Sequence, residues 1–123
     1  KAMSKEANDT FTLTRGVDKC IMAYPNDEWE VFAKRMESLN QFDPKSRYMI
    51  NIINSWSDES TLDSQQRIAL PRRLVEFAGI KGKVVIVGMI KYIAIWDPEE
   101  YERYLAAQEQ SFEEVAQEVM TRQ

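Results

Sequence analysis

The sequence predicts an α+β fold with internal pseudo-twofold symmetry, and three observations carry that prediction. Short apolar runs come in pairs joined by turn residues; each pair is followed by a helix with its own start signal; and the unit recurs at an offset of 72 residues. At that offset Gly16 falls on Gly88, Lys19 on Lys91, Tyr24 on Trp96, Trp29 on Tyr101 and Phe32 on Tyr104. An ordered double occurrence of strand, turn, strand and capped helix implies a pseudo-twofold domain. The same offset sets Lys1 opposite Arg73, so the counterpart of Asp63 to Arg72 falls upstream of Lys1. A parent chain with an upstream strand and loop is expected, in keeping with a first residue that is lysine and not methionine.

Residues 1 to 10 are polar without a period and read as a helix remnant leading into a loop. Phe11 to Arg15 alternates apolar and polar, a strand signal, and Cys20 to Tyr24 is its hairpin partner across Gly16 to Lys19. Pro25 stops that strand. Asn26 suits the cap of the next helix, Asp27 and Glu28 suit its positive end, and Trp29, Phe32, Ala33, Met36 and Leu39 recur at helical spacing. Asp43-Pro44 starts a second helix, with Tyr48, Met49, Ile52, Ile53 and Trp56 along one face.

The stretch Thr61 to Leu74 is the one around which the rest is organised. Ile68 to Leu70 suits a half-buried strand and Pro71 the first position of a helix over Pro71 to Ala78, which Gly79 stops. The polar tetrad Asp63 to Gln66 then has to be a loop, with Arg67 where it enters the strand. Val84 to Val87 and Tyr92 to Trp96 form a second hairpin joined by Gly88 to Lys91. Asp97-Pro98 caps a helix carrying Tyr101, Tyr104 and Leu105. A C-terminal helical stripe of Phe112, Val115, Ala116 and Val119 closes the chain.

Composition narrows the function classes. At 123 residues the chain reads as one domain, and a single cysteine, Cys20, excludes an internal disulfide. No apolar run is long enough to span a bilayer and no signal-peptide pattern opens the chain, so a cytoplasmic protein is expected. The net charge of -4 is unevenly spread: residues 62 to 96 hold six basic and two acidic residues, residues 97 to 123 two basic and eight acidic. The middle of the chain is its basic part. Without histidine the usual general base, the Ser-His and Cys-His nucleophile systems and most zinc sets are missing. No Gly-x-x-x-x-Gly-Lys phosphate loop occurs. An enzyme, a cofactor, a metal and a small-molecule substrate are therefore not expected.

At this point the residues become recognisable. Leu13-Thr-Arg-Gly-Val-Asp-Lys-Cys20, Tyr24-Pro25 and Glu28-Trp29 resemble the first half of the MraZ family. Leu62-Asp-Ser-Gln-Gln-Arg-Ile-Ala-Leu-Pro71, Ala78-Gly-Ile80, Val87-Gly88 and Ile95-Trp-Asp97 resemble its second half. The resemblance runs from about Phe11 to about Leu105 and implies a pseudo-twofold β-barrel of two AbrB/MazE-like (SpoVT-AbrB) repeats with flanking helices. The first repeat would occupy 1–56, without its N-terminal strand and loop, the second 57–107, and a C-terminal helix 108–123. The resemblance also implies a nucleoid-associated transcriptional regulator that binds guanine-rich direct repeats in the promoter of the division and cell-wall gene cluster. Its partners would be double-stranded DNA and further copies of itself in a ring.

The family's Asp-x-x-x-Arg signature lands on Asp63 and Arg67. Its usual glycine before the arginine is Gln66 here, at a point where glycine would take positive φ at little cost. Arg67 can offer its planar fork to O6 and N7 of guanine, and Gln65 and Gln66 can reach adenine edges or phosphates. On the loop alone the plainer reading is an exposed arginine paired with Asp63; the repeat and the resemblance reverse that preference. Asp63, being acidic, is assigned to structuring the loop. Arg72 and Arg73 are expected either near phosphate or as a solvated first helical turn. The aromatics read as packing, and Cys20 as a buried inert thiol. Two places stand open for the stripe from Phe112 to Val119: a neighbouring subunit, or helix 26 to 39. The second functional reading is an antitoxin-like or other protein-interaction module of the MazE/AbrB fold, its acidic tail seated on a basic partner.

Overall fold

Two antiparallel hairpins share one sheet in the computed structural model, which describes residues 9–122. The helix remnant expected over residues 1 to 10 lies almost wholly outside them. Strand β1 (Thr10–Arg15) pairs with β2 (Ile21–Pro25), and β4 (Val85–Met89) with β5 (Tyr92–Trp96). A short strand, β3 (Asp58–Thr61), adds to the outer side of β1, giving the order β3-β1-β2-β5-β4. Five helices complete the α+β architecture: α1 (Asn26–Glu37), α2 (Pro44–Trp56), α3 (Arg72–Ala78), α4 (Pro98–Ala106) and α5 (Phe112–Thr121).

The hairpins meet through β2 and β5, where Ile21 lies opposite Ile95, Met22 opposite Ala94 and Ala23 opposite Ile93. At the 72-residue offset Met22 corresponds to Ala94, so this residue faces its own counterpart and the pseudo-twofold axis passes between them. The aromatic residues repeat in space as in sequence. Tyr24 packs on Trp29 and Phe32 with ring centroids 5.5 and 5.1 Å apart; Trp96 packs on Tyr101 and Tyr104 at 5.2 and 5.0 Å. In both copies a strand-end aromatic is gripped by the first turns of the helix that follows.

Alternation along the strands sorts the two faces of the sheet. Phe11, Leu13, Ile21, Ala23 and Ile95 join Leu74 and Ala78 of α3 in the main core. On the opposite face the buried Thr14 donates to the Ile53 carbonyl of α2 at 3.1 Å, and Thr12 donates to Asn26 at 3.3 Å. Cys20, Ala94 and Trp96 form a second cluster. Burial, and then the nearby Asp18 carboxylate, push the Cys20 thiol up to about 11.

Several local expectations are corrected. The residue at the start of α1 is Pro25, the counterpart of Asp97, and it has no side chain able to cap. Asn26 lies inside the helix and spends its side chain on Thr12. Asp97, by contrast, accepts from the backbone N–H groups of Glu99 and Glu100, and Asp43 from that of Lys45. Pro71 immediately precedes α3 instead of opening it, and Gly79 ends that helix at φ 69°, a left-handed conformation suited to glycine. The second hairpin turns on Ile90 and Lys91 alone, with Gly88 inside the strand. The two hairpins also differ by one residue in register: Arg15 faces Ile21, whereas Val87 faces Ala94 and not Ile93. Gly16 shows why the first turn is different, since a Cβ there would meet the Cys20 sulfur at 2.8 Å, while a Cβ on Gly88 meets nothing within 4 Å.

Ile68 to Leu70 forms no ladder. The strand is instead Asp58–Thr61, on the other limb of the loop, and it occupies the outer edge of β1 with Thr10 opposite Thr61. The returning limb is held by packing of Ile68 and Leu70 on the core and by the Ser60 hydroxyl, which donates to the Ala69 carbonyl at 2.9 Å.

Candidate nucleic-acid interface

The loop between β3 and α3 is short, exposed and tightly closed on itself. The Asp63 N–H donates to the Arg67 carbonyl at 2.8 Å, and the Gln66 N–H to the Asp63 carbonyl at 3.0 Å. The Asp63 carboxylate then gathers the rest: one oxygen accepts from the backbone N–H groups of Gln65 and Arg67, both at 2.9 Å, and the other from Arg67 Nε at 3.1 Å. These bonds, led by that of the Arg67 backbone N–H, hold the Asp63 carboxyl below the usual carboxylate range. Below the loop, the Leu62 N–H donates to the Asp9 carbonyl at 2.9 Å. Both limbs are thus anchored to the sheet while the tip stands in solvent.

Gln66 itself takes the left-handed conformation, with φ 65°. The loop takes this backbone path with a side chain present, a conformation costing roughly 1–2 kcal/mol outside glycine. The side chains of Gln65 and Gln66 are left facing water.

Of the three arginines, two point outward. Arg67 is anchored through Nε alone among the described residues and keeps 71% of its side chain exposed. Arg72, on the first turn of α3, is 92% exposed and pairs with Glu76 at 3.4 Å. Arg73 is different. It lies over the Trp56 ring at 5.2 Å and contacts Asp58 at 3.6 Å, which ties α3 to the junction of α2 and β3. Arg15 also stacks here, 4.1 Å from the Phe77 ring centroid. Sequence reasoning missed this platform, because Trp56 and Phe77 lie far apart in the chain and nothing in their spacing joins them. Lys83 and Lys91 are exposed, and Lys81 pairs with Glu99 at 3.2 Å.

Exposed ion pairs of this kind contribute only ~0–1 kcal/mol each. Arg67 and Arg72 can therefore exchange a carboxylate for a phosphate or a base edge at small cost, and Asp63 stays in place because backbone N–H groups hold it as well. Among the described residues no cluster of three or more histidine, cysteine or acidic side chains could hold a metal. No helix among them is long and apolar enough to cross a membrane.

A duplicated strand-turn-strand-helix unit that presents a tight loop closed by an exposed arginine has the make-up of a binding protein. Comparison with known proteins narrows this class. A family model described as "MraZ protein, putative antitoxin-like" matches residues 56–123. Proteins named "Transcriptional regulator MraZ" are similar along most of their length. That of Natranaerobius thermophilus is 35% identical over 116 residues, covering 94% of this chain and 81% of the relative. Those of Halothermothrix orenii and Desulforamulus reducens are each 35% identical, over 111 and 112 residues, covering 90% and 91% of this chain and 78% and 79% of theirs. The chain belongs to the MraZ family. Its relatives bear the name of a regulator and not of an enzyme.

Proposed function

We propose that this protein is a sequence-specific DNA-binding transcriptional regulator. Its two SpoVT-AbrB-like repeats, 1–56 and 57–107, carry a C-terminal helix at 108–123. The observation that supports this most is the closed loop of Asp63 to Arg67, which presents a pre-oriented guanidinium on a rigid scaffold. A planar fork held in this way suits the O6 and N7 acceptors of guanine in the major groove, a contact worth about 1–3 kcal/mol of discrimination. Gln65 and Gln66 flank it as secondary contacts. Arg72 supplies phosphate contact, and Arg73 sets the position of α3 and approaches the backbone from there. The names of the relatives support regulation, and the MraZ resemblance supports direct repeats in the promoter of the division and cell-wall gene cluster as the target.

One loop per chain gives weak binding. Several copies in a ring-like assembly, each on one of a series of tandem repeats, would supply the rest through avidity. The acidic remainder of the chain disfavours non-specific adhesion to DNA, so affinity concentrates at the basic loop. A cytoplasmic protein resident on the nucleoid follows from this role. The antitoxin-like reading is supported by the family description, but α5 is an ordered helix with a capping box between Ser111 and Glu114, unlike a disordered acidic tail.

Fluorescence anisotropy on a labelled duplex with guanine-rich direct repeats, beside a scrambled duplex and over a salt series, tests the proposal. Binding is expected to be tighter on the repeats, and Arg67→Ala to lose that preference while retaining a weak salt-dependent component. Equal binding of the natural protein to both duplexes would overturn it.

A further inference from the structure

Among the described residues, an apolar groove and an apolar helix face are both open to water, and they match. The first is a groove between α2 and the β1–β2 turn, enclosing about 450 Å³ and floored by Thr14, Met22 and Phe32. Its wall is the α2 stripe, where Tyr48 is 70% and Met49 42% exposed. The second is the face of α5, a helix that buries none of its residues and presents Phe112, Val115, Val119 and Met120 to water. Exposed apolar faces of this kind in one small chain mark an interaction site.

Charge assigns the one to the other. α2 carries Lys45 and Arg47 and no acid, and Lys45 begins the same helical stripe as Tyr48, Met49 and Ile52. α5 carries Glu113, Glu114 and Glu118 and no base, with Glu113 and Glu118 on either side of its apolar stripe. Chain order adds a second argument. α5 follows α4 as α2 follows α1, yet α2 is fastened to the sheet through Thr14 and Ile53 while α5 buries none of its residues. α4, for its part, is pinned by Trp96 against Tyr101 and by Glu100 held between Lys19 and Arg103 at 3.0 and 2.8 Å.

We infer that α5 of one copy docks its Phe112, Val115 and Val119 face into the α2 groove of a second copy, in a head-to-tail contact. The inference rests on the assembly proposed above and names the surface that builds it. Because the two faces differ, the contact is heterologous and propagates from copy to copy, closing into a ring if the rotation allows.

Light scattering on the full-length chain after size exclusion tests this, with Val119→Asp for the helix face and Met49→Asp for the groove wall. Both positions are exposed, and circular dichroism checks that each variant is folded. The natural chain is expected to be larger than a dimer and each variant alone a monomer. An equimolar mixture of the two variants should form a dimer, since each contributes one sound face. Glu113→Lys with Glu118→Lys should raise the assembly's dissociation constant about fivefold, as expected for exposed pairs worth ~0–1 kcal/mol. Variants that retain the natural mass, or a mixture that stays monomeric as it would if α5 returned to its own groove, overturn this interface. A monomeric natural chain overturns the assembly as well. Arg67→Ala should leave the mass unchanged, which keeps failure of this contact distinct from failure of DNA reading.

Discussion

Leu74 is fully buried and is the larger of the two side chains that α3 buries completely in the main core. Replacing it with alanine removes three carbons from contact with both hairpins, since Leu13, Ile21, Ala23 and Ile95 line the same cluster. At ~0.8 kcal/mol per buried methylene the transfer loss is about 2.4 kcal/mol. The cavity adds about 1–2 kcal/mol, because strands on one side and a short helix on the other leave little freedom to collapse. The expected cost of Leu74→Ala is thus about 3.5–4.5 kcal/mol, a large fraction of the ~5–15 kcal/mol that holds a small domain together. Leu105→Ala, at a position 53% exposed on α4, is the internal control and should cost less than ~1 kcal/mol. Urea unfolding followed by tryptophan fluorescence measures both, with an unchanged slope marking a change in stability and not in the unfolded state. A Leu74→Ala cost equal to that of Leu105→Ala would refute the placement of Leu74 at the centre of the main core.

Two further substitutions probe the loop backbone and the α4 anchor. Gln66→Gly should leave stability unchanged or raise it by up to about 1 kcal/mol, while the β-branched Gln66→Val should lower it, because φ is 65° there; thermal unfolding with Val equal to Gly would contradict that strain. Glu100 is depressed to about 2, first by the Arg103 side chain and then by Lys19. A carboxylate with a lowered folded value adds stability that is complete above the ordinary glutamate range and is lost as pH falls through about 2. Glu100→Gln should therefore flatten the decline in melting temperature between about pH 5 and pH 2; an unchanged slope would show that the pair contributes nothing.

Much of this fold could be read in the chain because its signals are local. Asp43-Pro44 and Asp97-Pro98 carry both a cap and a helical φ in adjacent residues, Gly79 supplies the left-handed stop, and the paired aromatics repeat at one fixed offset. What stayed hidden depends on distant partners. Asp58 to Thr61 has no apolar alternation and becomes a strand only because β1, some fifty residues earlier, offers it an edge. Ile68 to Leu70 has the composition of a strand, but its apolar side chains serve the core under α3, and the edge it would need is taken. The loop was legible as a loop from Asp63 and its polar neighbours. Its particular closure was not, since it depends on Gln66 accepting a positive φ. The positions of Arg72 and Arg73 diverge for a similar reason: Trp56 is brought beneath Arg73 by the packing of α2, which no spacing in the sequence records.

Replacing guanine by 7-deazaguanine in the repeat duplex removes the N7 acceptor while leaving pairing intact, and so tests directly whether Arg67 reads guanine. Anisotropy titrations of the natural protein and of Arg67→Ala on both duplexes close a cycle. The base change is expected to weaken binding of the natural protein by about 1–3 kcal/mol and to leave Arg67→Ala unaffected. Equal weakening of both proteins, or of neither, would contradict a base contact by this arginine.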